Sequence, residues 1–151
     1  MPIGAFIARD SVWTWPPGAH GSTFAGNPIC AAAGLATLDI IESDGMSNAM
    51  AMGARLRSGL ERVAADVDSV RDIRGVGLML GVEFDSHQTA EAIQEAAFRL
   101  GLLTLECGES SLRFSPPLIV DAASVDAAVR IFGEAIAASA STREGRAVTG
   151  G

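Results

Sequence analysis

Lysine is missing from this 151-residue chain: all eleven basic side chains are arginines, so no side chain here offers a primary amine. Cysteine and histidine are nearly absent as well. Cys30 and Cys107 lie far apart, and neither they nor His20 and His87 fall at metal-ligand spacing, which excludes a zinc site or a disulfide framework. Positive charge is scarce against eighteen acidic residues, and a net charge of −7 excludes the clustered basic surface that nucleic acid or an anionic membrane needs. The long uncharged stretch 11–38 is interrupted by Pro16, Pro17, Pro28 and several glycines, so it is not a membrane span. The N-terminus carries no basic region followed by an apolar run and a small-residue cleavage site; no signal peptide is expected, and a cytoplasmic location is the default. Spacing assembles no Ser/His/Asp constellation and no carboxylate pair, and there is no internal repeat.

What is present begins with His20-Gly21-Ser22-Thr23-Phe24-Ala25-Gly26-Asn27-Pro28. Gly21 and Gly26 let the backbone approach a ligand or take positive φ, and Ser22 and Thr23 offer two hydroxyl donors. Asn27 reads as the N-cap and Pro28 as the first residue of a helix. Gly-rich turns and helix N-termini attract phosphate through unpaired N–H groups and the helix dipole, so a phosphorylated cofactor suits this composition, as does a plain capped loop. His20 adjoins the turn and is a further candidate; His87 lies in a polar stretch that reads as a solvated turn.

At 48% apolar residues the chain can build a core, as one domain or as one domain with a piece of another. Residues 2–9 read as a short buried strand, and 28–41 as a helix apolar almost all round. Glu42-Ser43-Asp44-Gly45 ends it and marks a boundary. A second helix over about 46–67 is amphipathic, with Leu56, Leu60, Val63 and Val67 on one face. The period then becomes 2: Val76, Leu78, Leu80, Val82 and Phe84 alternate, predicting one strand over 76–84. A helix over about 89–100 stops at Gly101, short strands follow at 102–107 and 112–115, and a last helix carries Val125, Val129, Phe132 and Ile136 on one face. The expectation is an α/β chain whose second unit runs α-β-α-β-β-α, followed by a disordered Ser/Thr/Gly-rich tail at 139–151. A lone strand and an apolar helix cannot bury themselves, so a partner chain or further polypeptide is expected to cover residues 1–44.

Arg113 is one charge in an otherwise apolar strand, Leu112-Arg113-Phe114-Ser115, that runs into Pro116-Pro117. Its planar fork suits a bidentate carboxylate, an interaction worth roughly 1.5–3 kcal/mol. An internal salt bridge or a solvent-facing edge position also accounts for it.

Pro2-Ile3-Gly4-Ala5, the run from Gly18 to Pro28, Arg74-Gly75-Val76-Gly77-Leu78-Met79 and Leu112 to Leu118 occur in an order that resembles class III pyridoxal-phosphate aminotransferases, over about residues 1–138. The 4-aminobutyrate type is the most similar, with the acetylornithine and ornithine types beside it. The resemblance implies the C-terminal part of a fold-type-I subunit: residues 1–44 the end of the large cofactor-binding domain, 45–138 the small α+β domain. It implies pyridoxal 5′-phosphate as cofactor, a homodimer or a missing N-terminal part as partner, and ping-pong transfer of an amino group from an amino acid to a 2-oxo acid. Thr23 is similar to the family threonine that donates to the cofactor phosphate of the neighbouring subunit, with Ser22 adjacent. Arg113 matches the family arginine that binds the substrate carboxylate. The family lysine that forms the Schiff base lies just ahead of the Pro-Ile-Gly-Ala block, and this chain contains no lysine. The expectation is therefore a C-terminal fragment, inactive alone; a non-catalytic truncated domain or subunit-interaction module is the alternative.

Overall fold

The computed structural model describes residues 2–148, and the side chains of 2–140. The chain divides into two compact units, Met1–Asp44 and Gly45–Gly151.

Among the described residues, the first unit holds a 3-10 turn, Asp10–Val12, and helix α1, Pro28–Ile40, which leads into a π-helical stretch at Ile41–Gly45. Asn27 starts α1 as expected: its side-chain oxygen accepts from Ile29 N at 3.0 Å and Cys30 N at 3.2 Å. The strand expected at 2–9 does not form. A strand exists only within a hydrogen-bonded ladder, and no described segment pairs with it; these residues have no regular structure and are exposed. None of residues 2–44 is buried, α1 included. Phe6, Trp13, Trp15 and His20 instead gather in ring contacts with centroids 5.5–5.7 Å apart.

The second unit has its own core. Helix α2, Met46–Ala64, precedes strands β1, Val70–Val76, and β2, Met79–Phe84; helix α3, His87–Arg99, precedes strands β3, Leu105–Cys107, and β4, Ser111–Phe114; helix α4, Ala122–Val148, closes the unit. The sheet is antiparallel throughout, in the order β1-β2-β4-β3. One sheet face meets all three helices: Leu80, Val82, Phe84, Leu112 and Phe114 pack against Leu56 and Leu60 of α2, Ile93 of α3, and Val125, Val129, Phe132 and Ile136 of α4. The apolar stripes expected on the second and last helices therefore fill this core. His87 is not in a turn but in the first turn of α3, where Ser86 caps Thr89 N at 3.2 Å; its side chain is exposed.

Two expectations are corrected here. Residues 76–84 are not one strand: the chain reverses between Val76 and Met79, which pair with each other, through Gly77 at φ +55°. Leu78 is buried within that turn, so apolar alternation continues through a reversal and conceals it. The missed strand β1 gives the unit the order α-β-β-α-β-β-α. The last helix also continues past residue 139, where the sequence reading begins a structureless tail; Ser139 is buried and donates its hydroxyl to Ile136 O at 2.8 Å, within α4. Residues 149–151 lie outside the described residues.

Candidate functional site

The turn before α1 is built from local hydrogen bonds. Ser22 folds over the next two residues, its Oγ accepting from Phe24 N at 3.2 Å and its carbonyl from Ala25 N at 3.4 Å. Gly26 follows at φ +70°, a conformation that favours glycine, and Asn27 then caps the helix. The cap changes what the turn can offer an anion. Pro28 has no N–H, and the N–H groups of Ile29 and Cys30 are taken by Asn27, so the first amides of α1 are not free donors. The groups left for a ligand are hydroxyls and turn amides. Thr23 is exposed and its hydroxyl makes no hydrogen bond among the described residues.

Ser22 and His20 line an open hollow of 810 Å³ together with Pro2, Gly4, Gly26 and Asn27. The hollow thus joins the Pro-Ile-Gly-Ala block to the turn. Thr23 is not part of its lining. His20 also packs at 5.5 Å from Trp15 and edge-on to Phe6 at 5.7 Å, so one side of its ring is committed to the aromatic group.

Arg113 lies in β4 as expected, on the sheet face that the helices leave open, between the buried Leu112 and Phe114. Its register partners are Gly81 of β2 and Leu105 of β3. Its Nε is buried and has no hydrogen-bond partner; Thr104 Oγ1 is the other such side-chain atom among the described residues. An uncharged hydroxyl tolerates that state at moderate cost, but a guanidinium N–H demands an acceptor. The internal salt bridge is therefore not the arrangement adopted at Nε. Arg74 contrasts with it on the same face. Its guanidinium pairs with Glu83, with Asp72 at 3.1 Å, and reaches Ser111 Oγ at 3.5 Å, and these acids hold its pKa above the ordinary arginine value, the hydrogen bond to Glu83 foremost. This network had no signal in the sequence, because Arg74 and Glu83 meet only through strand register.

Among the described residues no three metal-ligating side chains cluster, and no helix is long and apolar enough to cross a membrane. The profile of the family "Aminotransferase class-III" matches residues 1–136. The chain is 42% identical over 141 residues to an acetylornithine aminotransferase of Synechocystis sp., covering 91% of this chain and 33% of that protein. It is 39% identical over 144 residues to a diaminobutyrate–2-oxoglutarate aminotransferase of Rhizobium meliloti, covering 83% and 30%. Among solved structures, a transaminase from directed evolution by ancestral reconstruction superposes with a TM-score of 0.76 at 34% identity, over 83% of this chain and 30% of that one. The chain spans about a third of the length of the curated relatives it matches.

Proposed function

Because this chain belongs to the class III aminotransferases, a pyridoxal-phosphate-dependent family, we propose that it supplies a phosphate-holding turn and, separately, a carboxylate-binding arginine to amino-transfer sites. The transfer is from an amino acid, 4-aminobutyrate or another ω-amino acid among the candidates, to a 2-oxo acid. The observation that carries this reading is Arg113: a charged Nε, buried and without an acceptor, on a sheet face not covered by the unit's own helices. A substrate carboxylate supplies the missing acceptor, held by two parallel N–H donors.

The residues present fit the phosphate end of the cofactor. Thr23 would hold a phosphate oxygen through its hydroxyl, and Ser22, whose oxygen already accepts from Phe24 N, keeps its own hydroxyl proton to donate. His20 and the Pro-Ile-Gly-Ala backbone border the hollow that Ser22 lines. Bound pyridoxal phosphate supplies the electron sink for the chemistry. Arg113 fixes the carboxylate end of the amino acid and so orients its reacting carbon. Proton movement at that carbon needs an amine this chain does not have: no lysine occurs in it, and a second copy would bring a second Thr23 but no lysine. The lysine therefore comes from additional polypeptide, and the chain is inactive by itself. The fold-type-I subunit, with residues 1–44 closing the large domain and 45–138 forming the small one, and the homodimer belong to this same reading.

A second reading, a non-catalytic subunit-interaction module, is favoured by one feature: α1 is apolar yet buries no residue. One experiment separates the two. The chain is tested for amino transfer with pyridoxal phosphate, alone and after a lysine-bearing family segment is supplied ahead of Pro2. Activity is expected only in the second case. Arg113→Ala should then lower kcat/KM for amino acid donors by about 10- to 100-fold while sparing simple amines, the loss of one charge-assisted pair. Failure of the supplemented chain to transfer any amino group favours the interaction module, and equal loss on both donor classes removes Arg113 from carboxylate recognition.

A further inference from the structure

Gly81 lies within β2, where glycine weakens a strand and needs a reason. Backbone conformation does not give one, since its φ is not positive. Packing does not give one either: a methyl at Gly81 would meet a single atom within 4 Å, Arg74 O at 3.9 Å, an ordinary contact. Gly53 and Gly59 differ in this respect, because a Cβ there would fall 2.3 Å from the Gly77 carbonyl and 2.4 Å from Val129 Cγ2.

The strand register shows what the empty position adjoins. Gly81 pairs with Arg113 on one side and Arg74 on the other, and Arg113 pairs in turn with Leu105. Directly paired residues of antiparallel strands project to the same face with Cβ atoms roughly 4.5–5.5 Å apart. The row Leu105–Arg113–Gly81–Arg74 therefore holds one vacant side-chain position between two arginines. Arg74 is satisfied by Glu83 and Asp72, whereas Arg113 Nε has no acceptor. The vacancy is thus beside the uncommitted cation.

We infer that Gly81 is the specificity-determining position of the Arg113 anion site: its missing side chain leaves the space in which a ligand carboxylate lies against the guanidinium, and it limits the bulk of what that carboxylate can carry. This rests on the reading of Arg113 as a carboxylate binder. The test uses the 151-residue chain with succinate as the probe, its binding read by titration calorimetry in the wild type and in each variant, Arg113→Lys included. Gly81→Ala should weaken succinate binding about tenfold, as expected when a methyl enters space a ligand must fill, and Gly81→Val should remove it. Gly81→Ala should also melt at or above the wild-type temperature, and Gly81→Ser serves as a second small substitution should Val fail to fold. Unchanged succinate affinity in Gly81→Ala and Gly81→Ser, with binding lost in Arg113→Lys, overturns the role of Gly81 and leaves that of Arg113 standing. A lowered melting temperature in Gly81→Ala overturns it too, because the glycine is then structural. No succinate response in the wild type, or an equal response in Arg113→Lys, overturns the carboxylate reading itself.

Discussion

Helices α1 and α2 follow one another in the chain and are both rich in small and aliphatic residues, yet they end in opposite states. α2 sets Leu56, Leu60 and Val63 on one face against the core and buries Gly53, Leu56, Gly59 and Leu60. α1 is apolar on every side and buries nothing; Ile29, Leu35 and Leu38 all remain more than half exposed. The stripe lets 45–140 close a core with its own strands, so that unit carries its folding instructions within itself. All-round apolarity is the composition of a helix meant to be enclosed on several sides, which 2–44 cannot do alone. In the proposed reading the enclosing surface is a partner subunit or further polypeptide.

That contrast can be broken by mutation, and core deletion is the strongest probe. Phe132 is fully buried and meets Phe114 edge-on at 5.0 Å, so Phe132→Ala should cost about 3–5 kcal/mol in urea unfolding. Leu35→Ala in α1 should cost less than about 0.5 kcal/mol by the same measurement. Equal losses would dissolve the distinction between the units. Next in size is Gly53→Ala, which should destabilise by about 1–3 kcal/mol although alanine is the better helix former, because its Cβ would collide with the Gly77 backbone. A raised melting temperature would refute that close approach. Asn27→Ala should weaken α1 by about 1 kcal/mol, visible as faster hydrogen exchange at Ile29 and Cys30 with no change in α2.

The smallest effect is electrostatic. Arg55 holds Asp126 through two hydrogen bonds of 2.7 Å, chiefly by that hydrogen bonding lowering the Asp126 carboxyl below the usual aspartate range. A depressed carboxyl favours the folded state above the ordinary aspartate pKa, and the contribution is lost as pH falls through the lowered value. Asp126→Asn should therefore make stability slightly less dependent on pH in the acidic range, with Arg55→Ala giving the same slope. Both side chains are about half exposed, so added salt should diminish the effect.

Elements whose signals are local were legible in the sequence. Asn27-Pro28 announced the start of α1, and the spacing of Val125, Val129, Phe132 and Ile136 announced the buried face of α4. β1 was not legible, because Arg71, Asp72 and Arg74 give it the composition of an exposed loop; its strand character comes from pairing with β2. The turn at Gly77-Leu78 was hidden because Leu78 is buried where turns are ordinarily polar. The place of Arg113 beside Pro116-Pro117 could be read directly, but its neighbours could not: Gly81, Leu105 and the Arg74–Glu83 pair are separated from it in sequence and joined only by register.

The capping of α1 by Asn27 has a consequence for how a phosphate could come and go. A helix whose first amides wait for an anion frays when the anion leaves, so binding and helix nucleation become one linked equilibrium. Here the nucleating bonds are supplied from within the chain, and the two equilibria are separate. In the proposed reading, occupancy at Ser22 and Thr23 would then follow phosphate concentration and ionic strength without a helix–coil contribution, and departure of the phosphate would leave α1 as ordered as before.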